Sequence, residues 1–201
     1  TAEAILNLPD SGKGSNPMIA PPLRLHDCSL ITDGAAAVVL TSSENAKSNF
    51  KHAVELSGIG HVTDRMMLNG RQGRLHELQA TKHAVTQACT EAGIGIGDLD
   101  FAEVHDCFTV NELLCAEAIG LSLPGRAGFD VMEGKFDPDS DCPINLSGGL
   151  KSKGHPVGAT GASMHALAYK QLTGAPIGVA AKGTPETAMT VNIGGSGVTN
   201  C

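Results

Sequence analysis

A glycine-rich stretch, residues 145–165, constrains the fold more than any other part of the chain. It reads NLSGGLKSKGHPVGATGASMH and contains a Gly-Gly pair, the tripeptide Gly-His-Pro and a run of small residues. Pro156 suits the first turn of a helix because it lacks an N–H group and has a fixed φ. We therefore predict a helix over 157–173 that ends at Gly174. The His155 imidazole would lie at its entrance, where free N–H groups favour developing negative charge.

The spacing of the glycines excludes two nucleotide-binding loops. Gly149 and Gly154 have the GxxxxG spacing of a phosphate-binding loop, but His-Pro follows where that motif requires Lys and then Ser or Thr. The glycines in 93–97 follow a predicted helix rather than a strand, which argues against a dinucleotide fingerprint. His155 itself is open to two interpretations, a reactive imidazole or a buried structural histidine in a tight turn.

Composition narrows the partners and the compartment. Of the 201 residues 41% are hydrophobic, and the scarcity of aromatic residues predicts an aliphatic, alanine-rich core. The net charge of −7 argues against binding to nucleic acid or to an anionic membrane. No apolar run reaches the roughly 18 residues of a membrane span. Six cysteines without a CxxC pair favour a reducing compartment. We expect the cytoplasm, or the peroxisome or mitochondrion if the source is eukaryotic.

Hydrophobic periodicity and turn residues predict strands that alternate with helices, which is typical of a layered α/β domain. Predicted helices cover 44–50, 75–92, 110–119 and 157–173. Predicted strands cover 35–40, 53–63, 101–104, 176–182 and 187–193. Predicted loops cover 1–22, 64–74 and 121–143, and a glycine turn covers 194–197. Ser42 or Ser43 would cap the first helix, and Thr109 with Glu112 would form a capping box on the third.

The triplet His-Asp-Cys occurs twice, at 26–28 and at 105–107. The first copy lies in a predicted loop, and we interpret it as incidental. The second follows the predicted strand 101–104 and precedes a helix, where sites of α/β proteins usually form. A neighbouring histidine and the helix N-terminus would lower the pKa of Cys107; the alternative is a small buried cysteine. No fourth metal ligand accompanies the histidines and cysteine, so we predict no metal site.

Three motifs together resemble the thiolase superfamily. GGLKSKGHPVGATG is similar to the Gly-His-Pro loop of that family. EVHDCFTVNELLCAEAIGL is similar to the His-Asp-Cys-Phe motif of sterol-carrier-protein-type thiolases, and VNIGGSG is similar to the terminal Cys-x-Gly-Gly loop. DGAAAVVL also resembles the last strand of the family's N-terminal domain. The resemblance extends from about residue 16 to the C-terminus.

The resemblance implies a fold and a set of partners. We expect a thiolase-like layered α/β domain with a mixed five-stranded sheet covered by helices. Residues 1–49 would be the tail of the N-terminal domain, and 50–201 would be the C-terminal domain. The nucleophilic cysteine would come from a missing N-terminal half, so the chain alone would be inactive. The full enzyme would be a homodimer that acts on acyl-CoA and coenzyme A, with coenzyme A as a substrate and no cofactor.

The resemblance also implies a mechanism, the thiolysis of 3-ketoacyl-CoA or the reverse Claisen condensation. His155 would accept the proton of the nucleophilic thiol. Cys107 would exchange a proton with the α-carbon, because Asn192 stands where most thiolases have a second catalytic cysteine. His105, directly or through a water, and His155 would donate to the thioester oxygen.

Glycines complete the site that the resemblance implies. The Gly194 N–H would help to form a second oxyanion hole, and Gly148 and Gly149 would contact the substrate. Two other functions stay open. The chain is alternatively a thiolase-like subunit without thiolysis, which serves an acyltransferase or aldolase assembly. A glycine-rich α/β binding domain without chemistry would require all three motifs to be accidental.

Overall fold

The computed structural model of the protein describes residues 2–70, 76–195 and 199–200. The helices in these residues are α1 Ala2–Leu6, α2 Ser43–Asn49, α3 Gln79–Ala92, α4 Thr109–Ile119, α5 Ala127–Met132, α6 Gly149–Lys153 and α7 Thr160–Leu172. The strands are β1 Met18–Ala20, β2 Leu23–Arg24, β3 Val62–Thr63, β4 Phe101–Val104, β5 Ala188–Val191, β6 Ile193–Gly194 and β7 Thr199–Asn200. Short 3₁₀ turns cover Leu25–Asp27, Leu68–Gly70 and Ile96–Asp98.

The strands form small sheets of both kinds. β4 and β5 are parallel, β3, β7 and β6 form an antiparallel triplet in that order, and β1 pairs with β2. A single residue, Asn192, separates β5 from β6. The α/β class with mixed strands is therefore confirmed, and the five strands from β3 to β7 are divided between a parallel pair and an antiparallel triplet.

Helices cover both faces of the parallel pair. Ala102 and Val104 of β4 belong to a buried cluster with side chains of α3 and α4. Phe101, which is 0% exposed, packs instead with Ala168 of α7. Because successive strand residues face opposite sides, all four residues of β4 are buried. This three-layer packing fixes the carboxyl end of β4, where the predicted site begins.

The predicted strand at 35–40 is wrong. These residues pair with no strand in the part of the chain that the structure describes, and most of them are exposed. Val39 is 92% exposed and Leu40 is 79% exposed. A strand needs a neighbour to satisfy its backbone groups, and its apolar pattern alone does not supply one.

Two further predicted strands are replaced by other packing. Of 53–63, only Val62–Thr63 is a strand. A Cβ at Gly58 would lie 2.1 Å from Ala88 O, and one at Gly60 would lie 1.8 Å from Ala84 O, so this segment packs tightly against α3 instead of extending a sheet. Segment 176–182 contains no strand. Part of its backbone is hydrogen-bonded to the Gln171 side chain. Gln171 Nε2 donates to Val179 O at 2.7 Å, and Gln171 Oε1 accepts from Ala181 N at 3.2 Å.

The predicted helices agree with the structure better than the predicted strands do. Ser42 Oγ accepts from Asn45 N and caps α2, as predicted. Gly93 and Gly120 end α3 and α4 in the left-handed conformation, with φ of 71° and 97°. α3 begins at Gln79, and Leu75, where we placed its start, lies outside the described residues.

Other boundaries differ from the prediction. Thr109 is not a cap, since α4 has no side-chain cap at all. α7 begins at Thr160, because Pro156 opens a separate turn whose carbonyl accepts from Ala159 N and Thr160 N. The predicted loops at 1–22 and 121–143 contain short helices, α1 and α5, and the first also contains β1. None of the helices in the described part of the chain has both the length and the apolar content needed to cross a membrane.

Candidate active site

The site lies where two neighbouring parallel strands end. β4 and β5 are paired in register, with Val104 opposite Val191. His105 follows β4 directly and Asn192 follows β5 directly, so both leave the same edge of the sheet. His105 Nδ1 and Asn192 Oδ1 are 2.8 Å apart, and the His105 side chain is buried. The carboxyl edge of a parallel sheet is where α/β proteins place their sites.

His155 reaches this region on a loop held by backbone contacts. Its N–H donates to Leu30 O at 3.2 Å, and its carbonyl accepts from Thr32 N at 3.4 Å. The preceding Gly154 has a φ of 91°, and a Cβ there would lie 2.7 Å from Thr32 Oγ1. The Gly-His-Pro tripeptide therefore needs its glycine both for backbone conformation and for close approach to residues 30–32.

The two imidazoles form an edge-to-face pair. The ring centroids of His105 and His155 are 5.0 Å apart, and the planes cross at 86°. His155 Nδ1 lies 2.7 Å from Thr160 Oγ1, and that hydroxyl donates to Pro156 O at 3.0 Å. Since its only proton is used, the hydroxyl accepts a hydrogen bond from His155 Nδ1–H. Neutral His155 then carries a lone pair on Nε2, which is what a general base requires.

Both histidines are held in the neutral form. Burial lowers the pKa of His105, and the hydrogen bond to Asn192 and the charge of Asp106 offset part of this effect. Burial also lowers the pKa of His155, and the neighbouring His105 and Lys153 lower it further. The pair is therefore suited to accept protons near pH 7.

Cys107 does not have the lowered pKa that the sequence predicted. Burial raises the pKa of its thiol, and the Asp106 carboxylate raises it further, while the N–H groups of Phe108 and Cys107 offset only part. Helix α4 begins two residues later, and the Nδ1 atom of His105 is bonded to Asn192 rather than to the thiol. Cys107 is therefore a neutral, half-buried thiol, suited to act as an acid.

The first His-Asp-Cys triplet, which we interpreted as incidental, lies against the second and makes structural contacts with it. Ser29 N donates to Cys107 O at 2.8 Å. Asp27 Oδ1 accepts from Thr109 Oγ1 at 2.9 Å. The segment that contains residues 26–28 thereby fixes the backbone of the second triplet at the start of α4. Sequence gave no signal for this pairing beyond the repetition itself.

Buried carboxylates fasten the glycine-rich loop to the strand end. Asp106 Oδ1 accepts from Leu150 N at 2.7 Å, and Oδ2 accepts from Lys151 N at 3.3 Å. Glu103 Oε1 accepts from Ser147 N at 3.0 Å and Oε2 from the Ser147 hydroxyl at 2.5 Å. Glu103 is 2% exposed and Asp106 is 3% exposed. Sequence analysis missed this role, although an acidic residue inside an apolar strand is a signal that could have indicated it.

Asn145 fixes the start of the same loop. It has a positive φ of 55°. Its Oδ1 accepts from Val104 N and its Nδ2 donates to Glu112 Oε2, both at 2.8 Å. Glu112, which we predicted as a capping-box partner, instead ties α4 to this loop.

The glycine pair is explained by close packing. Gly149 has a φ of 61°, and a Cβ there would lie 2.2 Å from Asp106 Oδ2. Gly148 has a φ of 90°, and its Cβ would lie 2.8 Å from the Ser152 Cβ. Both positions require glycine on structural grounds. Their contact with a substrate stays a prediction.

Gly194 ends β6, two residues beyond Asn192, and is the register partner of Thr199. Its use as an oxyanion donor stays a prediction. Residues 196 and 197 of the predicted glycine turn lie outside the described residues. In the described ranges, no group of three or more His, Cys, Asp or Glu side chains could hold a metal ion.

The fold and the site define a class of protein, an α/β domain with two neutral histidines and a neutral thiol at one edge of its sheet. Residues 60–201 match the model of the family described as "Thiolase C-terminal domain-like". The chain therefore belongs to the thiolase superfamily, which confirms the resemblance seen in its motifs. The match begins ten residues after the domain boundary that we predicted, and that boundary stays a prediction.

Individual relatives agree with the family. An acetyl-CoA acetyltransferase from Methanothermobacter thermautotrophicus is 40% identical over 182 residues, which cover 90% of this chain and 47% of that protein. Sterol carrier protein 2 from Rattus norvegicus is 36% identical over 156 residues, which cover 76% of this chain and 28% of that protein. The solved Ltp2-ChsH2(DUF35) aldolase shares the fold, with a TM-score of 0.81 at 19% identity over 100% of this chain and 50% of that chain. The chain spans about half the length of the acetyltransferases it matches.

Proposed function

We propose that the chain forms the C-terminal part of an acyl-CoA thiolase. The enzyme would cleave 3-ketoacyl-CoA with coenzyme A or run the reverse Claisen condensation. The observation that carries this proposal is the edge-to-face pair of neutral His105 and His155, with the neutral thiol of Cys107 two residues after His105 at the same strand end. Membership of the thiolase superfamily and the identity to an acetyl-CoA acetyltransferase support acyl-CoA as the substrate class. Coenzyme A would be a substrate, and the reaction would need no cofactor.

In the first half-reaction, His155 acts as a general base. Its Nε2 accepts the proton of a cysteine thiol supplied by an N-terminal half, and the thiolate adds to the 3-keto carbonyl. The bond between C2 and C3 then breaks, and its electron pair stays on C2 as the enolate of acetyl-CoA or a homologue. The hydrogen bond to Thr160 supports this role because it keeps the ring proton on Nδ1.

Cys107 then protonates C2. Its raised pKa supports this step, since the thiol keeps its proton near neutral pH until a strong base, the enolate, takes it. The resulting thiolate recovers a proton from the incoming coenzyme A thiol, whose sulfur attacks the acyl-enzyme. The bond between the acyl group and the enzyme sulfur then breaks, and the released cysteine thiolate takes back the proton held by His155. Asn192 cannot take this role, because an amide has no proton to exchange near neutral pH.

Negative charge on oxygen needs donors in both half-reactions. His105, directly or through a water, would serve the thioester oxygen of the enolate, and so would His155 once its Nε2 carries the proton of the nucleophilic thiol. The Gly194 N–H would serve the acyl intermediate, and Gly148 and Gly149 would border the bound substrate. All of these groups lie on the β4 and β5 strand ends or on the loop fastened to them.

The exposed apolar run at 35–40 supports contact with another protein segment. Val39 and Leu40 are almost fully exposed, and the run pairs with no strand in the described residues. Contiguous apolar surface with free backbone groups is a protein contact in most folded chains. We propose that an N-terminal thiolase half covers it, and that the complete subunit forms a homodimer.

Asn192 favours a second candidate. Where most thiolases have a second catalytic cysteine, this chain has an amide bonded to His105. A thiolase-like subunit without thiolysis, which serves an acyltransferase or aldolase assembly, would tolerate that change. It would bind acyl-CoA without forming an acyl-enzyme.

Separating the half-reactions tests the proposal in the protein expressed from its intact gene. In Cys107→Ala, deuterium wash-in at the α-carbon of acetyl-CoA should fall at least about a hundredfold, while acyl-enzyme formation stays nearly intact. In His155→Ala, both should fall by about 10²–10⁴. Cys89→Ala, at a half-buried cysteine of α3, is the matched control and should change neither.

Each contrary result has a definite meaning. Equal losses in both half-reactions of Cys107→Ala would assign that thiol a structural role. Acylation at the wild-type rate in His155→Ala would make His155 structural. A wild-type protein that binds acyl-CoA but never forms an acyl-enzyme would establish the second candidate.

A further inference from the structure

Asn192 is a polar side chain at the end of β5 to which the proposed chemistry assigns no role. It follows β5 directly, opposite the position where His105 follows β4. Its Oδ1 lies 2.8 Å from His105 Nδ1. His105 is only 7% exposed, so this contact replaces the hydrogen bond that water would otherwise make to Nδ1.

The direction of this hydrogen bond determines the tautomer of His105. An amide oxygen only accepts, so the proton must be on Nδ1. A neutral imidazole has one N–H group, and Nε2 of His105 then carries a lone pair. In this form the ring cannot donate from Nε2 to an oxygen.

The amide of Asn192 packs closely against α7. Asn192 Nδ2 faces the first turn of α7, where a Cβ at Gly161 would lie 3.3 Å from Nδ2 and 3.6 Å from Cγ. Glycine at 161 therefore leaves the room that the amide needs. On the other ring, the Thr160 hydroxyl imposes the same tautomer on His155. Two side chains without acid or base function thus give both rings an Nε2 lone pair.

We propose that Asn192 is a positioning residue that fixes His105 in the Nδ1–H tautomer. His105 Nε2 then accepts a hydrogen bond from a water, and the second hydrogen of that water, rather than the ring, donates to the thioester oxygen. The catalytic part rests on the proposed function. The tautomer itself does not depend on it.

This assignment gives the substitution at 192 a positive role. A cysteine at position 192 would take part in proton transfer. The Asn192 amide instead accepts a hydrogen bond from the His105 ring, and proton transfer is left to Cys107. Without the amide, the proton of His105 can move to Nε2. Nε2 then has no lone pair with which to accept a hydrogen bond from the water. For histidines that bind a metal ion, loss of an outer hydrogen-bond partner typically costs about 10–100-fold in activity, and we expect an effect of the same size here.

Nitrogen NMR of the protein expressed from its intact gene, labelled with ¹⁵N-histidine, tests the tautomer without turnover. His105 signals are assigned by their loss in His105→Gln. We expect a pyrrole-type Nδ1 and a pyridine-type Nε2 at pH 7.5. Asn192→Asp, whose carboxylate also only accepts, should keep this pattern, and Asn192→Leu should lose it. The His155 signals, fixed by Thr160, are the internal control and should not change.

The half-reactions complete the test. Asn192→Leu should slow deuterium wash-in at the α-carbon by about 10–100-fold, with acyl-enzyme formation within about threefold of wild type. A pyridine-type Nδ1 in the wild-type protein would overturn the proposal, and so would an unchanged His105 pattern in Asn192→Leu. If Asn192→Leu does not fold, the wild-type and Asn192→Asp spectra still decide it. A protein with the expected tautomer but no acyl-enzyme would refute the thiolase function and leave the assignment of the tautomer intact.

Discussion

Gly149→Ala should be among the most destabilising single substitutions in the glycine-rich loop. The residue has a φ of 61°, and a left-handed backbone costs a residue with a Cβ roughly 1–2 kcal/mol. The new Cβ would also lie 2.2 Å from Asp106 Oδ2, so the carboxylate must move away from Leu150 N and Lys151 N. Loss of one such hydrogen bond to a charged group costs about 1.5–3 kcal/mol. The sum is about 2.5–5 kcal/mol.

Thermal unfolding of the protein, followed by circular dichroism, measures this effect. For a domain of this size each kcal/mol shifts Tm by about 2–4 °C, so we expect a loss of about 10 °C. Gly125→Ala has a similar φ of 78° with nothing within 4 Å, and it isolates the cost of the backbone conformation. Gly158→Ala has open space and no positive φ, and it should be nearly neutral. If Gly149→Ala is no worse than Gly125→Ala, the packing against Asp106 is not what requires glycine.

Two further predictions concern the histidines. Thr160→Val should slow acyl-enzyme formation about tenfold in single-turnover experiments, because His155 Nδ1–H loses its acceptor. Thr160→Ser keeps the hydroxyl and should stay close to wild type. Equal rates in all three proteins would contradict the role of the hydroxyl. The pKa values of His105 and His155 are lowered in the folded protein. Below the ordinary histidine pKa of about 6.5, the unfolded chain therefore binds more protons than the folded protein does. The contribution of these two histidines to stability is thus lost as the pH falls below that value. The urea midpoint measured at pH 7.5 and at pH 5.5 should therefore fall more for wild type than for the double variant His105→Gln, His155→Gln, and an equal fall in both would refute this linkage.

Local chemistry made much of the fold predictable from the sequence. Glycine tolerates positive φ, so Gly93 and Gly120 marked the ends of two helices correctly. Ser42 marked the start of another through its side-chain oxygen. The short segment Phe-Ala-Glu-Val at 101–104 was predicted as the strand that carries His105, and the structure has a strand there. Each of these signals acts within a few residues along the chain.

Where a structural feature depends on a residue far away in the sequence, our predictions were wrong or we made none. The apolar run at 35–40 has the composition of a strand, but it pairs with no strand in the described residues. Thr109 has the residue type of a cap, yet its hydroxyl bonds to Asp27, which is 82 positions away. Competition between local and distant hydrogen-bond partners is decided only when the chain is packed.

The sequence by itself therefore determined which residues we predict to carry the chemistry, because His105, Cys107 and His155 lie in motifs that are read locally. The tertiary structure decided how those residues behave. Parallel pairing of β4 with β5 brought Asn192 to His105, and burial raised rather than lowered the pKa of Cys107. A tautomer and a pKa depend on distance and desolvation, and both are set by residues far apart in the sequence.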